Sequence, residues 1–309
     1  MGVRISDVVP SVVEPGLDPE WISRTVAVAL DEDLGPAPGR DVTTQATIPR
    51  SAIGTADLVA REDGTVAGLV VVPETLLQVA ERVGLPVPEV TFSARDGDGA
   101  GRGRVLATVT GPAQVLLIAE RTLLNLASRA SGVATATRAF ARALEGTGAR
   151  VLDTRKTTPG LRALQKYAVR AGGGTNKRMG LYDVAMIKDN HVVAAGSVTG
   201  AVEAVRAAFP DVDVQVEADT TEQAIEALAA GADFLLLDNM PTPVLAETVR
   251  EVRAREGRDG VPAHVELEAT GNLTLDRARE VAETGVDYLS VGALTHSAPI
   301  LDLALDLRA

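Results

Sequence analysis

The chain has 309 residues, of which 46% are hydrophobic, and its formal net charge is −12. So acidic a balance argues against a nucleic-acid-binding protein, which needs a broad basic face, and an aromatic content of 3% argues against stacking platforms for single strands. The lack of cysteine excludes disulfides, thiolate metal sites and a cysteine nucleophile.

The chain contains no run of 18 apolar residues, and its N-terminus lacks the basic-then-apolar order of a signal peptide. We therefore expect no membrane association. We also expect a cytoplasmic location, because a chain without cysteine fits a reducing compartment. Its length and mean hydropathy of +0.12 allow a large core and favour two domains.

The first third reads as an α+β domain. Residues 18–34 predict an amphipathic helix that ends at Gly35-Pro36. Short β-type runs follow at 53–60, 65–72, 90–92 and 105–110, separated by Asp-Gly turns, with one helix at 74–83.

Residues 113–131 predict a largely apolar helix with one polar stripe. Arg121 lies on that stripe, with Asn125, Ser128 and Arg129 at helical spacing. Two interpretations stay open at this point: the stripe faces solvent, or Arg121 reaches a functional site, including one across a subunit boundary.

Beyond this helix, strands alternate with helices. Strand-like runs occur at 151–152, 184–187, 212–216, 234–237, 265–267 and 288–291. Helix starts are marked by Thr158-Pro159, Thr242-Pro243 and a Thr220/Gln223 capping box. Six such units predict a parallel sheet that forms a closed or nearly closed α/β barrel.

Polar side chains follow five of the six strands, and a glycine, Gly292, follows the last. The carboxyl ends of parallel barrel strands open on one face, so these groups predict an active site there. Residues 150–191 also hold nine Lys or Arg against three Asp, a local charge of +6. So concentrated a positive charge suits a small polyanion in a cleft.

Five motifs in this half carry a family resemblance. They are DTRKTTPGLR (153–162), GGGTNKRMGLYD (172–183), IKDNH (187–191), LLLDN (235–239) and VGALTHS (291–297). With EDLG and DVTT in residues 32–44 and ERTLLNLASRASGVAT at 120–135, the chain strongly resembles the quinolinate phosphoribosyltransferase family, also called carboxylating nicotinate-nucleotide pyrophosphorylase.

The resemblance implies an enzyme of NAD biosynthesis. Such an enzyme transfers ribose 5-phosphate from phosphoribosyl pyrophosphate to quinolinate, with loss of one carboxylate as carbon dioxide. It also implies an N-terminal α/β sandwich at 1–122, joined by segment 294–309, and an incomplete α/β barrel at 123–293. Magnesium (Mg²⁺) is the implied cofactor, and the implied assembly is a homodimer in which Arg121 is contributed across the interface.

The resemblance assigns roles by matching position. Quinolinate would be held by Arg121, Arg155, Arg178 and Lys188, with Lys177 nearby and Lys156 at a pyrophosphate or carboxylate. Glu217 and Asp238 would bind ribose hydroxyls and, through water, magnesium. The 5-phosphate would meet Thr270, Gly271, Asn272 and Gly292. The predicted catalytic residues are Lys156, Lys188, Glu217 and Asp238.

The chain departs from the family pattern at two of these positions. Family members usually have His where this chain has Lys177, and Ser where it has Thr270. An ammonium keeps the positive charge but lacks the near-neutral titration of imidazole, so Lys177 is assigned an electrostatic role alone.

Three other functions compete with this one. A phosphoribosyltransferase for a monocarboxylate such as nicotinate would leave part of the cation cluster unpaired, which disfavours it. A barrel aldolase would use Lys188 as a Schiff-base nucleophile. The third is a non-catalytic sensor of pyridine carboxylates.

Overall fold

A computed structural model describes residues 15–258 and 261–308. Its α-helices are, in chain order, α1 (Pro19–Leu34), α2 (Thr44–Thr47), α3 (Val72–Val83), α4 (Ala113–Ala143), α5 (Arg162–Ala171), α6 (Asp189–Ala195), α7 (Val198–Ala208), α8 (Thr221–Ala229), α9 (Thr242–Arg253), α10 (Leu275–Ala282) and α11 (Ala293–His296).

Twelve strands are described. They are β1 (Ile53–Ala60), β2 (Gly64–Thr65), β3 (Glu89–Phe92), β4 (Gly99–Ala100), β5 (Val105–Pro112), β6 (Arg150–Leu152), β7 (Val184–Ile187), β8 (Asp213–Ala218), β9 (Phe234–Asp238), β10 (Glu266–Thr270), β11 (Tyr288–Ser290) and β12 (Leu303–Leu307).

The described chain forms two compact units. Unit 1 comprises residues up to Arg138, Thr158–Gly173 and the segment from Ser297 onwards, and unit 2 comprises Ala139–Thr157 and Gly174–His296. The predicted boundary at residues 122 and 123 falls inside helix α4, which is continuous there. The domain division made from sequence therefore stays a prediction.

Unit 1 contains a four-stranded antiparallel sheet in the order β12-β1-β5-β3. Its core is built from apolar side chains of this sheet and of helices α1, α3, α4 and α5. Helix α1 starts as the sequence predicts, with the Asp18 side chain accepting a hydrogen bond from the backbone N–H of Glu20.

Two local predictions in unit 1 are wrong. Only Thr65 of the predicted 65–72 run is extended, as the second residue of β2. Irregular backbone, a 3₁₀ turn at Leu69–Val71 and the start of α3 follow it, because burial on all sides suits an apolar helix as well as a strand. Helix α5 begins at Arg162, not after Thr158, whose backbone N–H instead donates to the side chain of Gln165.

Unit 2 contains a six-stranded, wholly parallel sheet in the order β6-β11-β10-β9-β8-β7. No ladder between β6 and β7 closes it within the described residues, so the prediction of an open α/β barrel beside an N-terminal α/β domain is confirmed. Strand β10 runs to Thr270, three residues beyond the predicted end at 267. No helix of the described chain has the length and apolar character that a membrane crossing requires.

Candidate active site

A pocket of about 300 Å³ opens at the carboxyl ends of the parallel strands in unit 2. Glu217, Asp238 and Thr270 reach it from the ends of β8, β9 and β10. The parallel register places Glu217, Leu236 and Glu268 side by side, and all three line the pocket. Strand topology thus gathers residues that are far apart in sequence.

The pocket brings together eight of the predicted site residues: Arg155, Lys156, Lys177, Arg178, Lys188, Glu217, Asp238 and Thr270. Its described lining holds five cations and, with Glu268, three acids. The lining therefore has a net charge of +2 when all eight groups are ionised. That charge matches a dianionic ligand such as a dicarboxylate.

The cations arrive on three segments. Arg155 and Lys156 follow β6, Lys177 and Arg178 belong to the loop before β7, and Lys188 follows β7. Arg178 is fixed by hydrogen bonds to the carbonyl of Val184 at 2.9 Å and to the sulfur of Met186 at 3.5 Å. Burial, and then the neighbouring Arg155, lower the pKa of Arg178 from its ordinary value, so these charges resist each other until an anion arrives.

Asp153 anchors the loop that carries Lys177. Its fully buried carboxylate accepts from the side-chain amide of Asn176 at 2.6 Å and from the backbone N–H of Lys177 at 2.8 Å. These hydrogen bonds connect the segment that follows β6, which carries Arg155 and Lys156, to the loop before β7, which carries Lys177 and Arg178.

Lys188 lies in an ion pair with Glu217. Its backbone N–H also donates to Nδ1 of His191 at 2.9 Å, so His191 of the IKDNH motif orients the start of helix α6. The ammonium of Lys188 is engaged by a carboxylate in this ion pair, which disfavours its use as an amine nucleophile.

Three carboxylates meet at this edge of the pocket. Single oxygens of Glu217, Asp219 and Asp238 all lie within 4.8 Å of one another. Oxygen donors of this kind are those that Mg²⁺ prefers. The sequence prediction assigned magnesium to Glu217 and Asp238 but not to Asp219, which comes directly after the end of β8 at Ala218.

Lys177 ends at a buried carboxylate that the sequence placed among the polar groups following the strands but to which it assigned no role. Its Nζ lies 2.5 Å from Oε1 of Glu268, and the two side chains are 10% and 0% exposed. Burial lowers the pKa of Lys177, Glu268 opposes that shift, and the charges of Arg178 and Lys188 add to it. The strand prediction stopped at residue 267 and so placed Glu268 in the polar segment after the strand, whereas β10 continues through it to Thr270.

Among the residues predicted to bind phosphate, Thr270 alone is in the described lining of the pocket. Gly271 and Asn272 line an adjoining cavity of about 210 Å³, to which Thr270 also contributes. A Cβ on Gly271 would come within 2.2 Å of Oδ1 of Asn239, and one on Gly292 within 3.3 Å of Cδ of Lys156. Both glycines therefore permit close approaches that a larger residue would block.

Arg121 belongs to unit 1, where it is exposed on helix α4. Unit 1 also contains a larger cavity of about 610 Å³ between α1, α4 and residues 159–161. Its lining is mainly apolar, with Arg24, Glu32 and Asp33 as its charged members. A converging set of charges distinguishes the smaller pocket, which we take as the active site for that reason.

Comparison with known proteins agrees with this geometry. The family models described as quinolinate phosphoribosyl transferase, N-terminal and C-terminal domains, match residues 41–131 and 133–306. The chain belongs to the quinolinate phosphoribosyltransferase family. The resemblance inferred from the sequence motifs is thereby confirmed.

Individual family members match over nearly the whole chain. The nicotinate-nucleotide pyrophosphorylase [carboxylating] of Mycobacterium leprae is 49% identical over 285 residues, covering 92% of this chain and 96% of that protein. The probable enzyme of the same name from Bacillus subtilis is 43% identical, with coverages of 89% and 90%. The solved nicotinate-nucleotide pyrophosphorylase from Francisella tularensis has a TM-score of 0.85 at 31% identity, with coverages of 96% and 100%.

Proposed function

We propose that this protein is a quinolinate phosphoribosyltransferase. It transfers ribose 5-phosphate from phosphoribosyl pyrophosphate to the ring nitrogen of quinolinate and releases pyrophosphate, carbon dioxide and nicotinate mononucleotide. The observation on which this rests is the pocket of net charge +2 at the strand ends, in a chain that belongs to this family. Two anionic substrates repel each other, and the fixed cations offset that repulsion.

The proposed roles follow from the charges. Arg155, Arg178 and Lys188, with Lys177, bind the two carboxylates of quinolinate, because guanidinium and ammonium groups form charge-assisted hydrogen bonds with them. Lys156 is exposed at the pocket and neutralises the departing pyrophosphate. Thr270, Gly271, Asn272 and Gly292 receive the 5-phosphate.

The proposed mechanism needs no nucleophilic side chain. When the bond between the ribose carbon and pyrophosphate breaks, positive charge develops on that carbon, and the carboxylates of Glu217 and Asp238 stabilise it. The ring nitrogen then forms the new bond and becomes positive. Its charge stabilises the electron pair left on the adjacent ring carbon when the carboxylate departs as carbon dioxide, and that carbon then takes up a proton from water. The protein contributes mainly orientation and electrostatics.

Magnesium is part of this proposal. The oxygen donors of Glu217, Asp219 and Asp238 suit a hard divalent cation, which supplies charge neutralisation for pyrophosphate when bound. Glu217 and Asp238 would hold it, directly or through water. Lys188 competes for Glu217, so the carboxylate exchanges one cationic partner for another or shares both.

We also propose a cytoplasmic homodimer in which Arg121 of one subunit completes the quinolinate site of the other. Arg121 is exposed on α4, and within the described chain it makes no hydrogen bond or ion pair with another side chain. A guanidinium so placed is available to an anion or to a partner.

One experiment tests the proposed activity. Wild-type protein is incubated with quinolinate labelled in the 2-carboxylate, phosphoribosyl pyrophosphate and Mg²⁺. Equal amounts of labelled carbon dioxide and nicotinate mononucleotide are expected. Turnover of nicotinate with no turnover of quinolinate would favour the monocarboxylate enzyme, tight quinolinate binding without pyrophosphate release would favour a sensor, and borohydride trapping of a Lys188 adduct with a carbonyl substrate would favour an aldolase.

A further inference from the structure

Glu268 is a fully buried carboxylate that lines the pocket together with five cationic side chains. Its Oε1 accepts from the ammonium of Lys177 at 2.5 Å and from the hydroxyl of Ser290, and its Oε2 accepts from the side-chain amide of Gln215 at 2.6 Å. Both oxygens are thus occupied by donors, and the donors come from three separate segments of unit 2.

The bond between Gln215 and Glu268 spans the sheet. Gln215 lies on β8 and Glu268 on β10, and β9 runs between those strands. Side chains of strands that are two apart meet only on the concave side of a curved sheet. Glu268 therefore points into the open barrel, where Gln215 and Ser290 hold it from either side.

A buried negative charge beside an anion site works against binding unless it has another purpose. Here it faces an ammonium on a flexible four-carbon stem, and Arg178 and Lys188 repel that ammonium. Without a fixed acceptor, the Lys177 side chain would turn away from the other cations towards water. The hydrogen bond to Glu268 restrains it at the pocket.

We infer that Glu268 is a positioning residue: it fixes the ammonium of Lys177 against a carboxylate of the pyridine dicarboxylate, with Gln215 and Ser290 fixing Glu268 in turn. This inference rests on the proposed function. A long, mobile lysine side chain needs such an anchor at its tip.

The test is direct binding of each substrate to the full-length protein by titration calorimetry. In E268Q the amide keeps the shape of the side chain and removes its charge. We expect the Kd for quinolinate to rise about tenfold to a hundredfold, as when a group that orients a ligand-binding residue is lost, while the Kd for phosphoribosyl pyrophosphate stays within about twofold. K177M should weaken quinolinate binding, and the double variant K177M/E268Q should bind it no more weakly than K177M.

The matched control is E266Q, the same substitution two residues earlier on β10. The carboxylate of Glu266 accepts from the hydroxyl of Tyr288 and does not line the pocket. S290A provides a milder variant that removes one hydroxyl from Glu268 and keeps every charge. It should raise the Kd for quinolinate about twofold to fivefold, a smaller effect than that of E268Q.

Three results overturn the inference. They are an unchanged quinolinate Kd in E268Q or S290A, a parallel loss of both substrates that follows a fall in Tm, and additive effects of K177M and E268Q. If E268Q does not fold, S290A with K177M decides the matter. Failure of the wild type to bind quinolinate would refute the proposed function itself, and this outcome is distinct because it needs no variant.

Discussion

Lys188 and Glu217 form an ion pair between the ends of two adjacent parallel strands, β7 and β8. The Glu217 side chain is 13% exposed and that of Lys188 is 44% exposed, so the carboxylate is the more enclosed partner. It faces both the cations of the pocket and the carboxylates of Asp219 and Asp238. Glu217 therefore lies between the cations of the pocket and the carboxylates proposed to bind magnesium.

Replacing Glu217 with glutamine should remove its negative charge and keep the shape of the side chain. We expect kcat to fall by about 10²- to 10³-fold, because a charge that stabilises the positive ribose carbon is lost. Steady-state rates of carbon dioxide release measure this. The control E203Q, at an exposed acid of α7, should retain the wild-type rate, and a fully active E217Q would contradict the role given to Glu217.

Removal of divalent cations should abolish activity reversibly. After treatment with EDTA, we expect no product until Mg²⁺ is restored, and D219N should raise the Mg²⁺ concentration for half-maximal rate about tenfold, because one of three neighbouring oxygen ligands loses its charge. D211N, at an exposed acid of unit 2, is the control. Identical magnesium curves for D219N and wild type would exclude Asp219 from the site.

Gly271 should tolerate no side chain. Its φ of +98° and the 2.2 Å approach to Asn239 both oppose a Cβ, whereas Gly146 has a φ of +81° with nothing within 4 Å. We expect G146A to cost about 1 kcal/mol in the free energy of unfolding from backbone strain alone, and G271A about 2 kcal/mol or more. Urea denaturation measures both. G271A alone should also raise the KM for phosphoribosyl pyrophosphate.

The buried pair of Asp96 and Tyr167 in unit 1 predicts a pH effect on stability. Burial raises the pKa of Asp96 above the ordinary value of 3.8, against the opposing hydrogen bond from the Tyr167 hydroxyl and that from the backbone N–H of Leu69. The folded chain thus holds this proton to a higher pH than the unfolded chain does. The contribution to stability is fully present below the unfolded pKa and is lost as pH rises through the folded pKa.

D96N lacks that titration. The difference in the free energy of unfolding between wild type and D96N should therefore decrease as pH rises from about 4, as measured by urea denaturation at several pH values. D302N, at an exposed acid, should show no such trend. A difference that grows with pH would mean that the carboxyl is stabilised in its ionised form.

Arg121 should complement a defective site in trans. If it acts across a dimer interface, R121A and K188A should each be nearly inactive. When the two variants are unfolded and refolded together, the mixture should regain about a quarter of wild-type activity, because half of the dimers are mixed and each mixed dimer holds one intact site of two. R142A, at an exposed position on the same helix, should be active alone. No recovery would place Arg121 outside a shared site.

Much of the architecture was predictable from local chemistry. Strands stand at all six predicted positions of the parallel sheet, and the Thr220/Gln223 capping box begins α8 as the spacing requires. Patterns of short range decide such features. The sequence did not predict that α4 continues to Ala143, because Gly132 weakens the helical pattern. A glycine is needed there for a tertiary contact: a Cβ on Gly132 would lie 1.9 Å from the carbonyl oxygen of Pro299.

The site was predictable where residues follow strands and not where they are buried within them. Strand-end cations and acids meet because parallel topology brings them together, so eight predicted residues share one pocket. Glu268 was predicted only as a polar residue following a strand, and Gln215 was not predicted, because nothing in the sequence says which strands face each other across the concave side. Partners that are 53 residues apart depend on sheet curvature, which is a property of the whole unit.

Strand β12 forms one edge of the sheet in unit 1 and pairs with β1, which lies some 250 residues earlier in the chain. During translation, the edge of β1 that pairs with β12 stays unpaired until residues 303–307 have been synthesised. An open strand edge invites pairing with other nascent chains. Loss of β12 would therefore leave the outer edge of β1 open to pairing with other chains.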